Sequence, residues 1–241
     1  MGIYLIMKNI YINPLFYIFS FILLVTGFFK PFLFMMIYLI IHELGHIIVS
    51  FCFGYKIIKI NVYPCGLLTV FDMKLNDSSF KNLLIALSGP IFQIVCYLVL
   101  KKYYEIHMFL LILNLLPIHP LDGSKIFSTF LYFLFPYKTS NNILFFVSYI
   151  LSLFILMYFI FNFNLLYLLI FIILFIRTID LYKNRDYLFN LFVLERVLYN
   201  FKFMFFKKIN SINDMYKGKY HYIRFKNNYI DEKKYLKYFY K

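Results

Sequence analysis

Long apolar runs dominate this 241-residue chain and restrict its fold more than any other feature. Hydrophobic residues make up 63% of the sequence, the mean hydropathy is +0.74, and only 15% of residues are charged. A helix of about 20 apolar residues crosses a bilayer, and helices satisfy their own backbone hydrogen bonds in lipid. The sequence therefore predicts an α-helical polytopic membrane protein with about six transmembrane helices.

The predicted spans set the domain organisation. They lie at about residues 13–29, 31–53, 80–100, 107–121, 141–160 and 163–178. Residues 1–178 would form the membrane-embedded domain, and residues 179–241 a short cytoplasmic C-terminal region. A short β-rich loop is expected between the second and third spans, because residues 57–62 and 67–71 are rich in β-branched and apolar side chains between turn residues.

The basic residues predict the orientation of the chain, because Lys and Arg collect on the cytoplasmic side of membrane spans. With a cytoplasmic N-terminus, only Lys30, Lys101 and Lys102 fall outside. We therefore expect a multi-pass protein of the cell membrane with both termini in the cytoplasm. The net charge of +14 favours contact with anionic lipid headgroups over nucleic acid, because the excess lies beside spans and in a tail that also carries acidic residues.

The second apolar run contains the sequence His42-Glu-Leu-Gly-His46. Two histidines four residues apart share one helix face and can bind one zinc ion, and Glu43 is placed to take a proton from water. Polar residues are costly inside a membrane, so a functional role is favoured over packing. The helix rise puts His42 about 17 Å along the span from Pro31, closer to the inner end, so the site is expected to open toward the cytoplasm.

A zinc hydrolase needs a third protein ligand, and few residues near the spans qualify. Asp122 follows two prolines that break the helix, and with Gly123 it forms an Asp-Gly turn. This position makes Asp122 the favoured candidate. His119 remains a rival ligand. Glu105 and His107 are expected to be solvated in an outer loop beside two lysines.

The two motifs, His42-Glu-Leu-Gly-His46 and Asn114-Leu-Leu-Pro-Ile-His-Pro-Leu-Asp122-Gly, resemble those of the site-2 protease family of intramembrane zinc metalloproteases. The resemblance implies that His42, His46 and Asp122 bind Zn²⁺ and that Glu43 is the catalytic acid and base. It also implies that Asn114 holds the substrate backbone or polarises the scissile carbonyl. Gln93 stands where many relatives have asparagine.

The resemblance also implies a function. The enzyme would hydrolyse a peptide bond in a membrane-associated protein, and the similarity extends to the sporulation members that release a sigma factor from its pro-sequence by regulated intramembrane proteolysis. Inhibitory membrane proteins are the implied partners. The alternative is a catalytically inactive membrane scaffold or an ion-handling transporter, which also uses polar residues inside the membrane.

Two smaller features lead to further hypotheses. The β-rich loop would offer an exposed strand edge to an extended substrate, with Ile60 and Val62 on the pairing strand; a simple connecting hairpin is the alternative. Gly45 is unfavourable inside a helix by about 1 kcal/mol relative to Ala. Something is therefore expected to approach it closely, either a neighbouring helix or the substrate.

Overall fold

The computed structural model describes residues 10–27, 29–63, 66–163, 165–226 and 228–239. Its helices are α1 (Pro14–Val25), α2 (Phe29–Cys52), α3 (Ser79–Leu100), α4 (Tyr104–Leu115), α5 (Asp122–Leu134), α6 (Tyr137–Asn162), α7 (Leu165–Leu198) and α8 (Glu232–Phe239). Its strands are β1 (Ile10–Ile12), β2 (Ile57–Tyr63), β3 (Gly66–Phe71), β4 (Phe205–Ile209), β5 (Lys219–Phe225) and β6 (Asn228–Asp231). Helices therefore form most of the described chain, with two small sheets.

Three helices of the described chain are long and apolar enough to cross a membrane: α2, α3 and α6. They coincide with the second, third and fifth predicted spans. Helices α1 and α4 contain 12 residues each, so each reaches only about 18 Å along its axis, against a hydrocarbon core of about 30 Å. The chain is a membrane protein, but the count of six spans is not confirmed and stays a prediction.

The chain divides into two compact units, and the first contains residues 1–73 and 84–115. Its helices α2, α3 and α4 pack around a buried cluster of Tyr38, Leu39, Cys96 and Leu110. Its sheet has the order β1-β2-β3, with β1 parallel and β3 antiparallel to β2.

This sheet corrects one detail of the strand-edge hypothesis. Ile60 pairs with Ile10 on one side and with Thr69 on the other, and Val62 pairs with Ile12 and Leu67. Both residues therefore lie in the central strand, and the prediction that they form an exposed edge is wrong. In the described sheet, the edge strands are β1 and β3.

The second unit contains residues 74–83 and 116–241. Helix α6 turns its small hydroxyl side chains inward, since Ser140, Ser148 and Ser152 have no exposed surface, while Phe154 and Phe161 are 60% and 78% exposed. Such a distribution suits a helix in a membrane, where small residues allow close helix contacts and large apolar side chains face the lipid. Helix α7 continues without a break through residue 178, and the domain boundary placed there stays a prediction.

The C-terminal part of the second unit combines a small sheet with a buried apolar core. The sheet has the order β4-β5-β6, with β4 parallel and β6 antiparallel to β5. The core joins α6, α7, the sheet and α8 through one set of buried side chains: Tyr137, Phe189, Phe192, Val193, Ile209, Met215, Ile223 and Leu236. The core of the predicted cytoplasmic region is thus formed by side chains of its own sheet and α8 together with side chains of α6 and α7.

A buried ion pair fixes α7 to α8 in this unit. Arg196, at 2% exposure, donates through Nη1 to Glu232 Oε1 at 3.0 Å and Oε2 at 3.1 Å. The guanidinium also donates to Asn76 Oδ1 at 2.7 Å and to the backbone oxygens of Lys219 and Tyr216 at 3.0 and 2.7 Å. Each nitrogen of the guanidinium therefore has an acceptor, which a buried charge requires.

The same network holds His221 in its neutral form. His221 Nδ1 donates to Glu232 Oε2 at 2.9 Å, and Nε2 accepts from the backbone N–H of Tyr216 at 3.0 Å. Burial lowers the pKa of His221, because it disfavours the charged imidazolium. Burial alone would raise the pKa of Glu232, but hydrogen bonds and charge from His221 and Arg196 outweigh it and lower this pKa.

Candidate metal centre

The two histidines of the motif lie one turn apart on α2, and both are buried. His42 is 3% exposed and His46 is 5% exposed. Their Nε2 atoms are 3.1 Å apart, and the two rings meet edge to face at 83°. The four-residue spacing predicted this common face, and the structure brings the two nitrogens close enough to share one ion.

Hydrogen bonds on the far side of each ring determine the tautomer of each histidine. His42 Nδ1 lies 3.1 Å from Gln93 Oε1, and His46 Nδ1 lies 2.6 Å from the backbone oxygen of Ile85. Gln93 Nε2 donates to the backbone oxygen of His107 at 3.0 Å, which orients the Gln93 amide with its oxygen toward His42. Both Nδ1 partners are acceptors, so both Nδ1 atoms carry hydrogen and both Nε2 atoms present lone pairs to each other.

Two glycines allow α2 and α3 to approach this closely. A Cβ atom on Gly89 would lie 2.4 Å from His46 Nε2 and 2.7 Å from His42 Nε2. A Cβ atom on Gly45 would lie 2.6 Å from the backbone oxygen of Ser88. The close approach expected at Gly45 is therefore made by a neighbouring helix, α3, and Gly89 keeps the space beside both imidazoles open.

Asp122 is the first residue of α5 and is 6% exposed. The turn before it is held by Ser148 of α6, which accepts from the backbone N–H of His119 at 3.1 Å and donates to the Pro117 oxygen at 3.4 Å. Lys125 Nζ donates to Asp122 Oδ1 at 2.8 Å, one turn along α5. These contacts hold the carboxylate at a fixed position at the start of the helix.

His42 and His46 belong to the first unit and place two imidazole nitrogens within reach of one ion. Asp122, a buried carboxylate of the second unit, stays the predicted third ligand, with His119 as its rival. Two imidazoles and one carboxylate match a catalytic zinc site, which keeps its fourth position for a reactant. The two Nε2 atoms, 3.1 Å apart, can point at one cation, so the donor set fits zinc.

Glu43 lies between the two histidines in the sequence and is half-buried. Its Oε2 accepts a hydrogen bond from Thr69 Oγ1 at 2.9 Å. Thr69 belongs to β3, one of the two edge strands of the first sheet. The carboxylate beside the metal-ligand pair is therefore oriented by the sheet.

The remaining candidates of the sequence analysis have different environments. Asn114 is half-buried near the end of α4, and no hydrogen bond from its side chain to another described residue is recorded. Glu105 is exposed on the same helix, as expected. The prediction for His107 is wrong: it is 2% exposed and stacks on Tyr97 at a ring distance of 4.4 Å. His107 is therefore buried against aromatic rings and does not lie in solvent as expected for an outer loop.

The structure gives contacts for residues on α3 of which the sequence analysis had singled out only Gln93, without a role. Ile85, Gly89 and Gln93 are spaced by four, so they share one helix face, and each contacts one of the two histidines or both. A glycine and an amide at this spacing inside an apolar run were a usable signal. The Ile85 contact gave no such signal, because it is made by a backbone oxygen.

The chain was compared with known proteins by sequence and by structure. No family model matches it. It is 25% identical over 208 residues to "Stage IV sporulation protein FB" from Bacillus subtilis (strain 168), an alignment that covers 80% of this chain and 72% of the relative. Among solved structures, "Site-2 Protease from Methanocaldococcus jannaschii" matches with a TM-score of 0.56 and 22% identity, over 71% of this chain and 89% of that one.

The two matches cover most of the chain. The structural match shows a site-2 protease fold, and the sequence match extends over most of the chain. The chain therefore resembles a sporulation protein in sequence and a site-2 protease in fold.

Proposed function

We propose that this protein is an intramembrane zinc metalloprotease that hydrolyses a peptide bond in a membrane-associated protein. The observation that carries the proposal is the buried pair of His42 and His46, whose Nε2 atoms lie 3.1 Å apart, with Glu43 next to the first histidine. Asp122 is proposed as the third ligand. Zinc bound there would supply a Lewis acid that polarises the scissile carbonyl and makes water a stronger nucleophile.

The protein side chains then provide the proton transfers and the orientation. Glu43 Oε2 takes a proton from the attacking water and delivers it to the leaving amide nitrogen. Thr69 donates to the same oxygen and so limits rotation of the carboxylate. Gln93 and the Ile85 oxygen hold the imidazoles by their Nδ1 atoms, which keeps both Nε2 atoms directed at the ion.

Asn114 is proposed to position the substrate. Its amide has no recorded hydrogen bond within the described chain, so it is available to a peptide carbonyl or N–H group. An amide that donates to the developing oxyanion lowers the barrier of acyl transfer.

The edge of β3 is proposed to present the substrate in extended form. A helical peptide hides its carbonyls in internal hydrogen bonds, whereas a strand added to a sheet edge exposes alternate ones. Thr69 brings β3 into contact with Glu43, so a peptide paired along β3 would pass beside the catalytic carboxylate.

The substrate is proposed to be a sigma-factor precursor that is tethered to the membrane and released during sporulation by regulated intramembrane proteolysis. The similarity to a protein named for stage IV of sporulation supports this choice. Inhibitory membrane proteins would be the partners. Both termini would lie in the cytoplasm, and the active site would open toward it, as the distribution of basic residues indicates.

Replacement of Glu43 by Gln tests the proposal. The full chain is co-expressed with membrane-tethered precursors, and the product is measured by size. Glu43→Gln removes the proton acceptor, so cleavage is expected to fall by about 10²–10⁴-fold, while the zinc content of the purified protein stays the same.

Glu105→Gln is the matched control, because Glu105 is an exposed glutamate, and it is expected to leave cleavage unchanged. Cleavage by Glu43→Gln at the wild-type rate would show that Glu43 is not the acid and base. An inactive scaffold or a transporter would retain its function in this variant.

A further inference from the structure

The second unit contains a cleft of about 600 Å³ that the proposed proteolysis does not use. It lies at the first residues of α3, beside the loop that leads into β4 and the turn before β5. Its volume falls in the range of about 300–1,000 Å³ that is typical of small-ligand sites. All residues that line it belong to this unit.

One wall of the cleft is the N-terminus of a long helix. Ser78 and Ser79 line it, and α3 begins at Ser79 and runs for 22 residues. The first N–H groups of a helix have no partner within the helix, and they carry the positive end of its dipole. A helix end of this kind attracts anions, but by itself it does not show that one binds.

The second observation is a buried lysine in the same cleft. Lys217 is 7% exposed and lines the cleft. Among the described residues, its ammonium has no hydrogen bond or close ion pair; it lies 5.2 Å from the centre of the Tyr132 ring, and the carboxylates of Asp77 and Glu195 act on it from a longer distance. Burial lowers the pKa of Lys217 to about 8. A charge in this position is incompletely compensated, and an anion would supply its partner.

The balance of charge in the cleft also favours an anion. Lys202 and Lys219 line it together with Lys217, against a single lining carboxylate, Asp77. That carboxylate already accepts from the backbone N–H of Lys74 at 2.8 Å. The cleft therefore has an excess of positive charge around the helix end.

The rim of the cleft indicates where the anion comes from. Phe80 and Phe133 are each 60% exposed, Phe205 is 65% exposed and Met204 is 87% exposed. Helix α3 is one of the helices that can cross a membrane, and it starts at this cleft. Exposed apolar side chains around a cationic pocket, at the end of a membrane span, suit a ligand with acyl chains and a charged head.

We propose that this cleft binds the phosphate headgroup of an anionic phospholipid, with the Lys217 ammonium and the N-terminus of α3 as its principal contacts. The acyl chains would lie along the exposed aromatic side chains of the rim. The site would attach the C-terminal region to the bilayer surface by a specific lipid contact.

The experiment uses the full chain, purified in a neutral detergent and freed of lipid. Dioctanoyl phosphatidylglycerol, dioctanoyl phosphatidylcholine and inorganic phosphate are titrated separately, and bound lipid is measured by native mass spectrometry and by the shift in thermal unfolding. Phosphatidylglycerol is expected to bind and to raise the unfolding temperature. Phosphatidylcholine and inorganic phosphate are expected to have little effect at the same concentration.

Lys217→Met keeps the length of the side chain and removes its charge. We expect about tenfold weaker binding of phosphatidylglycerol, because the variant loses one charge-assisted contact. Lys234→Met is the matched control, since Lys234 is an exposed lysine on α8 outside the cleft, and it is expected to bind as the wild type does. If Lys217→Met does not fold, the double variant Lys202→Gln with Lys219→Gln takes its place.

Three results would overturn the proposal. Equal binding of the two lipids would show an apolar contact without headgroup recognition. An equal effect of inorganic phosphate would identify a site for free phosphate instead of lipid. Undiminished binding by Lys217→Met, or by the double variant in its place, would show that the lysines of the cleft do not bind the lipid.

Discussion

Two buried polar clusters of the described chain differ in the arrangement of their charges and hydrogen bonds. In the C-terminal region, Arg196 faces Glu232, and the guanidinium has acceptors on every side. On α2, the outer nitrogens of His42 and His46 are matched by Gln93 and Ile85, but the inner nitrogens face each other at 3.1 Å.

The difference separates a structural role from a binding role. A buried network whose members satisfy one another needs nothing further, and it contributes to the fold. Two imidazole nitrogens held 3.1 Å apart are placed to share one cation, and contacts on the far side of each ring are typical of supporting residues around a metal. Burial and polarity are common to both clusters, and the close approach of the two Nε2 atoms on α2 distinguishes the histidine pair.

The largest expected effect is on the buried cluster of Arg196 and Glu232. Arg196→Met leaves Glu232 buried without its partner, so we expect the free energy of unfolding of the C-terminal region to fall by about 3–5 kcal/mol. Thermal unfolding of the purified protein measures this change. Arg185→Met, on the exposed side of the same helix, is the control and should change little. A small effect of Arg196→Met would mean that the network does not stabilise the fold.

A smaller effect is expected from a supporting residue of the histidine pair. Gln93→Leu removes the acceptor of His42 Nδ1, so we expect zinc affinity to fall by about 10–100-fold while the fold is retained. Competition with a chelator measures the affinity. Asn162→Leu removes an amide that bonds to the Tyr158 oxygen on α6 and should leave zinc affinity unchanged. Equal affinities in all three proteins would contradict a supporting role for Gln93.

The smallest effect concerns pH. The pKa of His221 is lowered in the fold, so the stability it contributes is complete above its unfolded value of 6.5 and is lost as the pH falls below it. The pKa of Glu232 is also lowered, so the stability that Glu232 contributes is likewise lost as the pH falls below its unfolded value of 4.5. Thermal unfolding should therefore shift to lower temperature between pH 7.5 and pH 5.

The charged groups that act on His221 in this range are Glu232, Arg196 and Lys207. His221→Gln keeps hydrogen-bonding capacity without an ionisable ring, so its unfolding temperature should depend less on pH over the same interval. An identical pH dependence in the wild type and in His221→Gln would show that another group titrates.

The sequence was most informative where chemistry depends on local spacing. The four-residue separation of His42 and His46 fixes a common helix face, and the long apolar runs fix α2, α3 and α6. The strands around residues 57–71 followed from β-branched side chains between turn residues. All of these features depend on residues within a few positions of one another.

The failures occurred where distant segments decide the environment. His107 was expected in solvent because lysines precede it, yet the aromatic rings of Tyr38 and Tyr97 bury it. Ile60 and Val62 were expected at a sheet edge, but pairing with β1 places them in the centre. A strand of three residues far away in the sequence gives no local signal of its partner.

By itself the sequence determined a helical membrane chain with a His-Glu-x-x-His motif and predicted which residues would bind zinc. Only the tertiary structure decided which imidazole nitrogens remain available, because that depends on Gln93 and on a backbone oxygen of Ile85, contributed by another helix. Backbone acceptors leave no mark in the residue types, and hydrogen-bond partners across helices are set by packing, so this property appears only in the folded chain.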